Sequence, residues 1–342
     1  MLMKGGGNRR SKLGRVATGL LVAIVATVFF DLALRLVLGL GNPILYQYSP
    51  RAGYVLAPDQ TTFRFLAWNR INRWGMRCPN FALARPGGTF RVLFVGDSVT
   101  YGTTFVDQSK IFTTRLARLL PRVMHEPVQV LNASCGAWAV GNEVGYLQAR
   151  GVFNSNLVVM VVNTGDLNQP FNRATLVPDS PYPDKPPFCA ISELWFRYLW
   201  PRIEGIAPFR DAGSFVPLVP QAPPDINALL DKAKAECERH GARFAIVFHP
   251  FRGKVWNRAP YPHDFKQLQR WCRRRNVPLL NLKSAYAAYP TNKVYYAGIH
   301  LKPFGNKLAA EAIAADWRKL CGYSPSIGKK RVATRVPRRN RV

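Results

Sequence analysis

Acidic side chains are scarce in this sequence of 342 residues: Asp and Glu number 19 against 48 Lys and Arg, a formal net charge of +29. Such an excess favours an anionic partner or surface. Cysteine is sparse as well. Cys78, Cys135, Cys189, Cys237, Cys272 and Cys321 are scattered, with neither a Cys-x-x-Cys pair nor a Cys/His ligand spacing, which argues against a zinc site. In an oxidising location some of the six are free to pair. Zinc-finger spacing, an RNA-recognition aromatic motif and a heptad array are all missing, so the charge does not point to a nucleic-acid partner. No internal repeat is present, and no metal or cofactor is expected.

Part of the charge sits at the chain ends. Lys4, Arg9, Arg10, Lys12 and Arg15 precede residue 16 with no acidic residue among them. Lys329, Lys330, Arg331, Arg335, Arg338, Arg339 and Arg341 crowd the last fifteen positions. Between the ends, Val16 to Phe30 carries no charge, and the apolar run continues past Asp31 and Arg35 to Leu40. About 25 residues at 1.5 Å each are enough for a ~30 Å hydrocarbon core. Asp31 and Arg35, four apart, share a helical face and can pair near the interface. The basic cluster before the span predicts a cytoplasmic N-terminus and an exported remainder, periplasmic or extracellular, in a single-pass membrane protein. The expected organisation is a basic segment 1–15, a transmembrane anchor 16–40, an irregular stalk 41–88, a domain 89–322 and a basic tail 323–342.

Within the domain, short apolar runs alternate with amphipathic patterns. Phe90–Val95, Val128–Leu131, Leu157–Val162, Phe244–Phe248 and Pro278–Leu282 read as strands buried on both faces. Ile111–Leu120, Asn142–Arg150, Ile226–His240, Phe265–Arg275 and Asn306–Leu320 read as helices. This alternation predicts an α/β fold with a central parallel sheet, whose chemistry belongs beyond the strand C-termini. Residues 168–224 interrupt it with a proline-dense insertion carrying Trp195, Phe196, Tyr198 and Trp200. A lid or substrate-binding role and a packing role are both open for it.

The first strand runs into Gly96-Asp97-Ser98-Val99-Thr100-Tyr101-Gly102, a tight turn able to present the Ser98 hydroxyl. Asn132-Ala133-Ser134-Cys135-Gly136-Ala137-Trp138 follows the second strand. Asn163-Thr164-Gly165-Asp166-Leu167-Asn168 follows the third. Near the end stands Ala297-Gly298-Ile299-His300-Leu301-Lys302-Pro303-Phe304-Gly305. Over residues 89–322 these four segments resemble the sequence blocks of the SGNH/GDSL hydrolases. The resemblance implies a three-layer, flavodoxin-like fold with Ser98 as nucleophile and His300 as base. It implies oxyanion donors at the Ser98 and Ala137 backbones and at position 165, where Gly165 replaces the family's Asn. Asp166 matches the Asp of the third block and is a candidate catalytic carboxylate. Ala297 stands where the family carries the triad Asp, leaving Asp166, another group or a Ser-His dyad to serve. Cys135 reads as a small core residue, and His125, His240, His249 and His263 as structural.

The resemblance implies a serine esterase acting on acyl esters, acetyl esters among them. An ester-bearing glycan or lipid is the expected partner, together with the membrane. An O-acyltransferase acting on an exported polysaccharide and a non-catalytic envelope- or glycan-binding module stay open beside it.

Overall fold

The computed structural model describes residues 7–178, 180–204, 224–255 and 263–322. The basic tail 323–342, Lys4 and the 205–223 part of the insertion lie outside the described residues. Gly7–Ala33 is one helix, prolonged by a π-helical turn, Leu34–Leu38. Leu13–Leu38, 26 residues and almost wholly exposed, is long and apolar enough to cross a membrane.

Residues 41–88 are not an irregular stalk. They hold two antiparallel hairpins, β1 (Tyr46–Ser49) with β2 (Gly53–Leu56) and β3 (Gln60–Arg64) with β4 (Ala67–Ile71). Ile44, Ala52, Tyr54, Leu56, Ile71 and Met76 are buried in the same core as the sheet. The hairpins have too little apolar surface to stand alone and gain stability by packing on the larger domain.

Five strands follow: β5 (Phe90–Gly96), β6 (Val128–Ser134), β7 (Leu157–Asn163), β8 (Arg243–His249) and β9 (Leu279–Asn281). All pairings are parallel, in the order β6-β5-β7-β8-β9. Successive side chains feed opposite faces, as strand geometry requires. Leu93, Val95, Met160 and Ile246 join one core with helices Val140–Arg150, Ile226–Arg239 and His263–Arg274. Val92, Phe94, Val159 and Val247 join another with Phe112–Met124 and Pro303–Ala315. The result is a three-layer α/β fold in which the direction of winding reverses between β5 and β7. Open sheets of this order bind ligands beyond the strand ends at that reversal, and Ser98 lies just past β5.

Each strand and helix expected from the apolar pattern is present, with ends moved by a few residues. All six cysteines are free thiols, so no disulfide links the layers.

Two fully buried arginines hold the irregular chain around the sheet. Arg77 donates to the carbonyls of Tyr101, Thr103, Val106 and Trp68, and to Gln108 Oε1, at 2.6–3.4 Å. Arg91 donates to Leu83, Phe153 and Ala82 carbonyls and to Gln129 Oε1 at 2.7–2.9 Å. An unpartnered buried carbonyl costs about 1–3 kcal/mol, so Arg77→Ala is expected to lower stability by at least ~3 kcal/mol. Arg77→Lys should recover less than half, because one ammonium cannot reach a fork of acceptors. Urea unfolding of the detergent-solubilised chain measures both; a loss under ~1 kcal/mol for the alanine variant would mean that water replaces the guanidinium at little cost.

Candidate active site

The β5 end is shaped by close approach. A Cβ on Gly96 would lie 2.1 Å from Thr100 Oγ1 and 3.2 Å from the Val161 carbonyl. Asp97 caps the one-turn helix Ser98–Tyr101 through its Oδ1, which accepts from Val99 N–H at 2.8 Å. Gly102, at φ +89°, ends the turn and returns its N–H to the Ser98 carbonyl. A Cβ there would strike Ile111 at 2.5 Å. Ser98 is thus fixed at the first position of a short helix, half-buried at the sheet edge.

His300 comes from a small hairpin, β10 (Tyr295–Ala297) with β11 (His300–Leu301). The hairpin is tied to the β8 end by three bonds. Arg252 N–H donates to Gly298 O at 2.9 Å, Tyr295 OH donates to Pro250 O at 2.9 Å, and His249 Nε2 meets Ile299 O at 2.8 Å. A carbonyl only accepts, so His249 Nε2 carries the proton and Nδ1 accepts from Tyr286 OH at 3.1 Å. Burial lowers the His249 pKa to about 4, which keeps the ring neutral in this role. So fixed, the hairpin brings His300 Nε2 to 2.9 Å from Ser98 Oγ, across 202 residues of sequence. Burial also holds the His300 pKa below its ordinary value, favouring the neutral ring that can take a proton.

Asp166 does not reach the histidine. Its carboxylate accepts from the Asn163 backbone at 2.8 Å and from the Asn163 side chain at 2.7 Å, shaping the loop after β7. Asn163 Nδ2 also donates to Asp97 Oδ2 at 2.9 Å. Gly165, expected as an oxyanion donor, gives its N–H to Asn163 Oδ1 at 2.6 Å. That atom is engaged by the turn itself. Asn168 closes the same turn through its N–H to Gly165 O at 3.3 Å. His300 Nδ1 has no hydrogen-bond partner among the described residues, and Ala297, its backbone neighbour in the hairpin, is exposed.

Ala137 fits the expected donor position better. It adopts φ +55°, the left-handed conformation a glycine takes without strain. Its N–H has no acceptor among the described residues. Its carbonyl is pinned by Asn172 Nδ2 at 2.9 Å, and the Gly136 carbonyl accepts from Tyr54 OH at 2.7 Å. Trp138 Nε1 donates to Tyr54 O at 2.9 Å. The loop is therefore built by the insertion, for which a substrate-binding or a packing role was open, and by β2, which the sequence pattern did not mark as part of a site. Cys135 is fully buried with its thiol pKa pushed well up by burial, in keeping with a core residue.

Behind Ser98 lies a buried group of carboxyls, of which sequence reasoning missed Glu143. Burial raises the Asp97 pKa to about 6 and pushes that of Asp166 well up. Glu143 is fully buried with both carboxyl oxygens unpartnered. Burial, then the nearby Asp166 and Asp97, push its pKa well above the carboxylate range. The signal was present: Glu143 falls on the apolar stripe of Val140, Val144 and Leu147. No group of His, Cys, Asp and Glu with the geometry of a metal site occurs among the described residues.

No family model matches the sequence, and no curated protein matches it. Solved structures of similar fold include an acetylxylan esterase from Geobacillus stearothermophilus, 13% identical over 69% of this chain and 95% of its own, with a TM-score of 0.40. A member of the lipolytic G-D-S-L family from Veillonella parvula is 11% identical over 66% of this chain and 97% of its own, with a TM-score of 0.39. An alpha/beta hydrolase enzyme from the metagenome of Lake Arreo is 14% identical over 70% of this chain and 98% of its own, with a TM-score of 0.40.

Because Glu143 keeps its proton to a higher pH folded than unfolded, its contribution to stability falls as pH rises from about 4 through its folded pKa. Glu143→Gln removes that dependence. The variant should match wild type near pH 5 and exceed it in Tm near pH 8, and an equal difference at both values would show that Glu143 is not held protonated.

Proposed function

We propose that the chain is a serine esterase in which Ser98 is the nucleophile and His300 its general base. The observation that carries this reading is the 2.9 Å contact between Ser98 Oγ and His300 Nε2 at the C-terminal edge of the sheet. His300 Nε2 accepts the hydroxyl proton as Oγ attacks the ester carbonyl. The Ser98 and Ala137 N–H groups stabilise the oxyanion. The imidazolium then protonates the departing alkoxide, leaving an acyl-serine. Water, deprotonated by the same ring, releases the acid and restores the serine.

The pair acts as a dyad, with Asp166 maintaining the loop beside it. Losing the group that fixes the histidine tautomer costs ~10⁴ in turnover in serine-protease triads, so modest turnover is expected. The Leu13–Leu38 helix is the membrane span, with the basic N-terminus cytoplasmic and the domain exported. The net charge of +29 suits esters borne by anionic glycans or lipids.

A fluorophosphonate probe should label wild type on Ser98, and Ser98→Ala and His300→Ala should each abolish aryl acetate hydrolysis while remaining folded. Labelling that persists in Ser98→Ala, or a folded wild type that neither labels nor turns over, would overturn the reading.

Ala297→Asp tests the dyad separately. A carboxylate there can accept from His300 Nδ1–H, orient the ring and stabilise the imidazolium. Turnover should rise about tenfold, equivalent to ~1.4 kcal/mol. The acid limb of the pH–rate profile should move to higher pH, since a nearby carboxylate raises a histidine pKa. An unmoved limb would show that another group already partners Nδ1.

A further inference from the structure

The long N-terminal helix is locked to the domain at its far end. Asp31 pairs with Arg35 at 2.6 Å, and its other oxygen accepts from Ile191 N–H at 3.0 Å. Gly41 N–H donates to Glu193 Oε2 at 2.6 Å, and Arg64 Nη1 donates to Gly39 O at 2.9 Å. The Arg64–Glu193 ion pair, 2.5 Å long, is buried at both ends. Leu34, Leu40 and Ala190 form an apolar cluster of their own, with Phe65, Leu194 and Tyr198 packed against it. Helix end and the 190–198 part of the insertion are therefore joined by ion pair, hydrogen bond and apolar contact.

The insertion is helical from Ala190 to Glu204, with a π-helical turn at Leu194–Leu199. One side carries Ala190, Glu193 and Tyr198 into the junction. The other turns out Trp195, Phe196, Leu199, Trp200 and Ile203, each 37–50% exposed. Spacings of four, 195/199/203 and 196/200, gather these five onto a single face. An exposed apolar face of this size on a folded domain marks a contact surface.

Its depth relative to the long helix identifies the contact. Asp31 ends the charge-free run that begins at Val16, and lies seven residues, roughly 10 Å, before the helix end at Leu38. Ile191 is bonded to Asp31, and Leu194 and Tyr198 pack in one cluster with Leu34 and Leu38, so this helical segment starts level with the boundary of the apolar run and lies beside the last turns of the long helix. Tryptophan is the residue most suited to that level of a bilayer, and exposed Arg202 on the same segment suits anionic headgroups.

We infer that the Trp195–Phe196–Leu199–Trp200–Ile203 face lies in the headgroup layer of the bilayer that the N-terminal helix crosses. The inference rests on the membrane reading of Leu13–Leu38 and is independent of the esterase reading. Its consequence is positional. Tyr198 packs on Phe65 (5.8 Å between ring centroids), Phe65 on Phe105 (4.8 Å) and Phe105 on Tyr296 (6.5 Å), four residues before His300. An aromatic ridge runs from the membrane-seated segment to the rim of the Ser98–His300 site, which is thus held close to the lipid surface.

The test uses the full chain in vesicles of phosphatidylcholine and phosphatidylglycerol, with and without chain-brominated phosphatidylcholine. None of the eight tryptophans lies in the Leu13–Leu38 helix, so quenching reports the domain. Wild type should float with the vesicles and lose about a fifth or more of its emission to the brominated lipid, as two interfacial tryptophans among eight imply. Trp195→Phe/Trp200→Phe should float equally and lose most of that quenching. A wild type that floats unquenched, or a double variant quenched as strongly as wild type, overturns the inference and leaves the face to a protein partner or to another segment of the chain. A wild type that does not float overturns the membrane reading and this inference together, whatever its esterase activity.

Discussion

Irregular chain outside a parallel sheet carries carbonyls that neither ladder nor helix can satisfy, and here long cationic side chains meet that need. Arg77 gathers the carbonyls that follow the Ser98 turn, and Arg91 gathers those around the entry to β5. Neither has a carboxylate partner among the described residues, which suits a chain so poor in acidic residues. A guanidinium bonded to several carbonyls is fully satisfied in hydrogen bonds while remaining buried, a geometry that lysine cannot reproduce. Arg64, a third buried arginine, does pair with a carboxylate, Glu193, and it does so where the long helix joins the domain. Part of the basic excess is therefore structural, and part faces outward.

Of the five buried carboxyl side chains among the described residues, three lie behind the serine. Asp97, Asp166 and Glu143 share one buried region, with Asn163 donating to the first two. In that low-dielectric setting burial raises all three pKa values, and the nearby Asp97 raises those of Asp166 and Glu143 further, so protons are retained. Such a cluster is suited to fixing the turns after β5 and β7. It is not placed to orient His300, whose hairpin is held instead by neutral His249 and backbone bonds. The imidazole is positioned by its chain, with no anion at Nδ1 among the described residues.

The central sheet was legible because its strands are buried on both faces and so read as unbroken apolar runs. The turns that carry Ser98 and His300 were legible because glycines and turn residues are local requirements of those loops. The hairpins of 41–88 were not. Their strands are four or five residues long, alternate only weakly, and owe their burial to contacts far away in sequence. Tyr54 illustrates the difficulty: nothing near it suggests that its hydroxyl supports the Gly136 carbonyl 82 positions later. Asp166 misled for the opposite reason. Its local motif was correct, but its direction depended on Asn163, which turned inward to bridge two carboxyls.

Ala137 shows how that remote support bears on the site. A non-glycine residue in the left-handed region costs about 1–2 kcal/mol, and the local bond that closes its turn, Trp138 N–H to the Cys135 carbonyl, is long at 3.4 Å. The offset comes from outside, through Asn172 on the Ala137 carbonyl and Tyr54 on the Gly136 carbonyl. These bonds fix the plane of the peptide joining the two residues and of the one that follows, and so fix where the Ala137 N–H points. A glycine would hold the same φ without strain but with more freedom to leave it. With alanine, the loop keeps its donor only as long as the β1–β2 hairpin and the insertion stay docked. Because the insertion also carries the junction with the long helix, the geometry of this loop and the seating of that helix depend on a single packed unit.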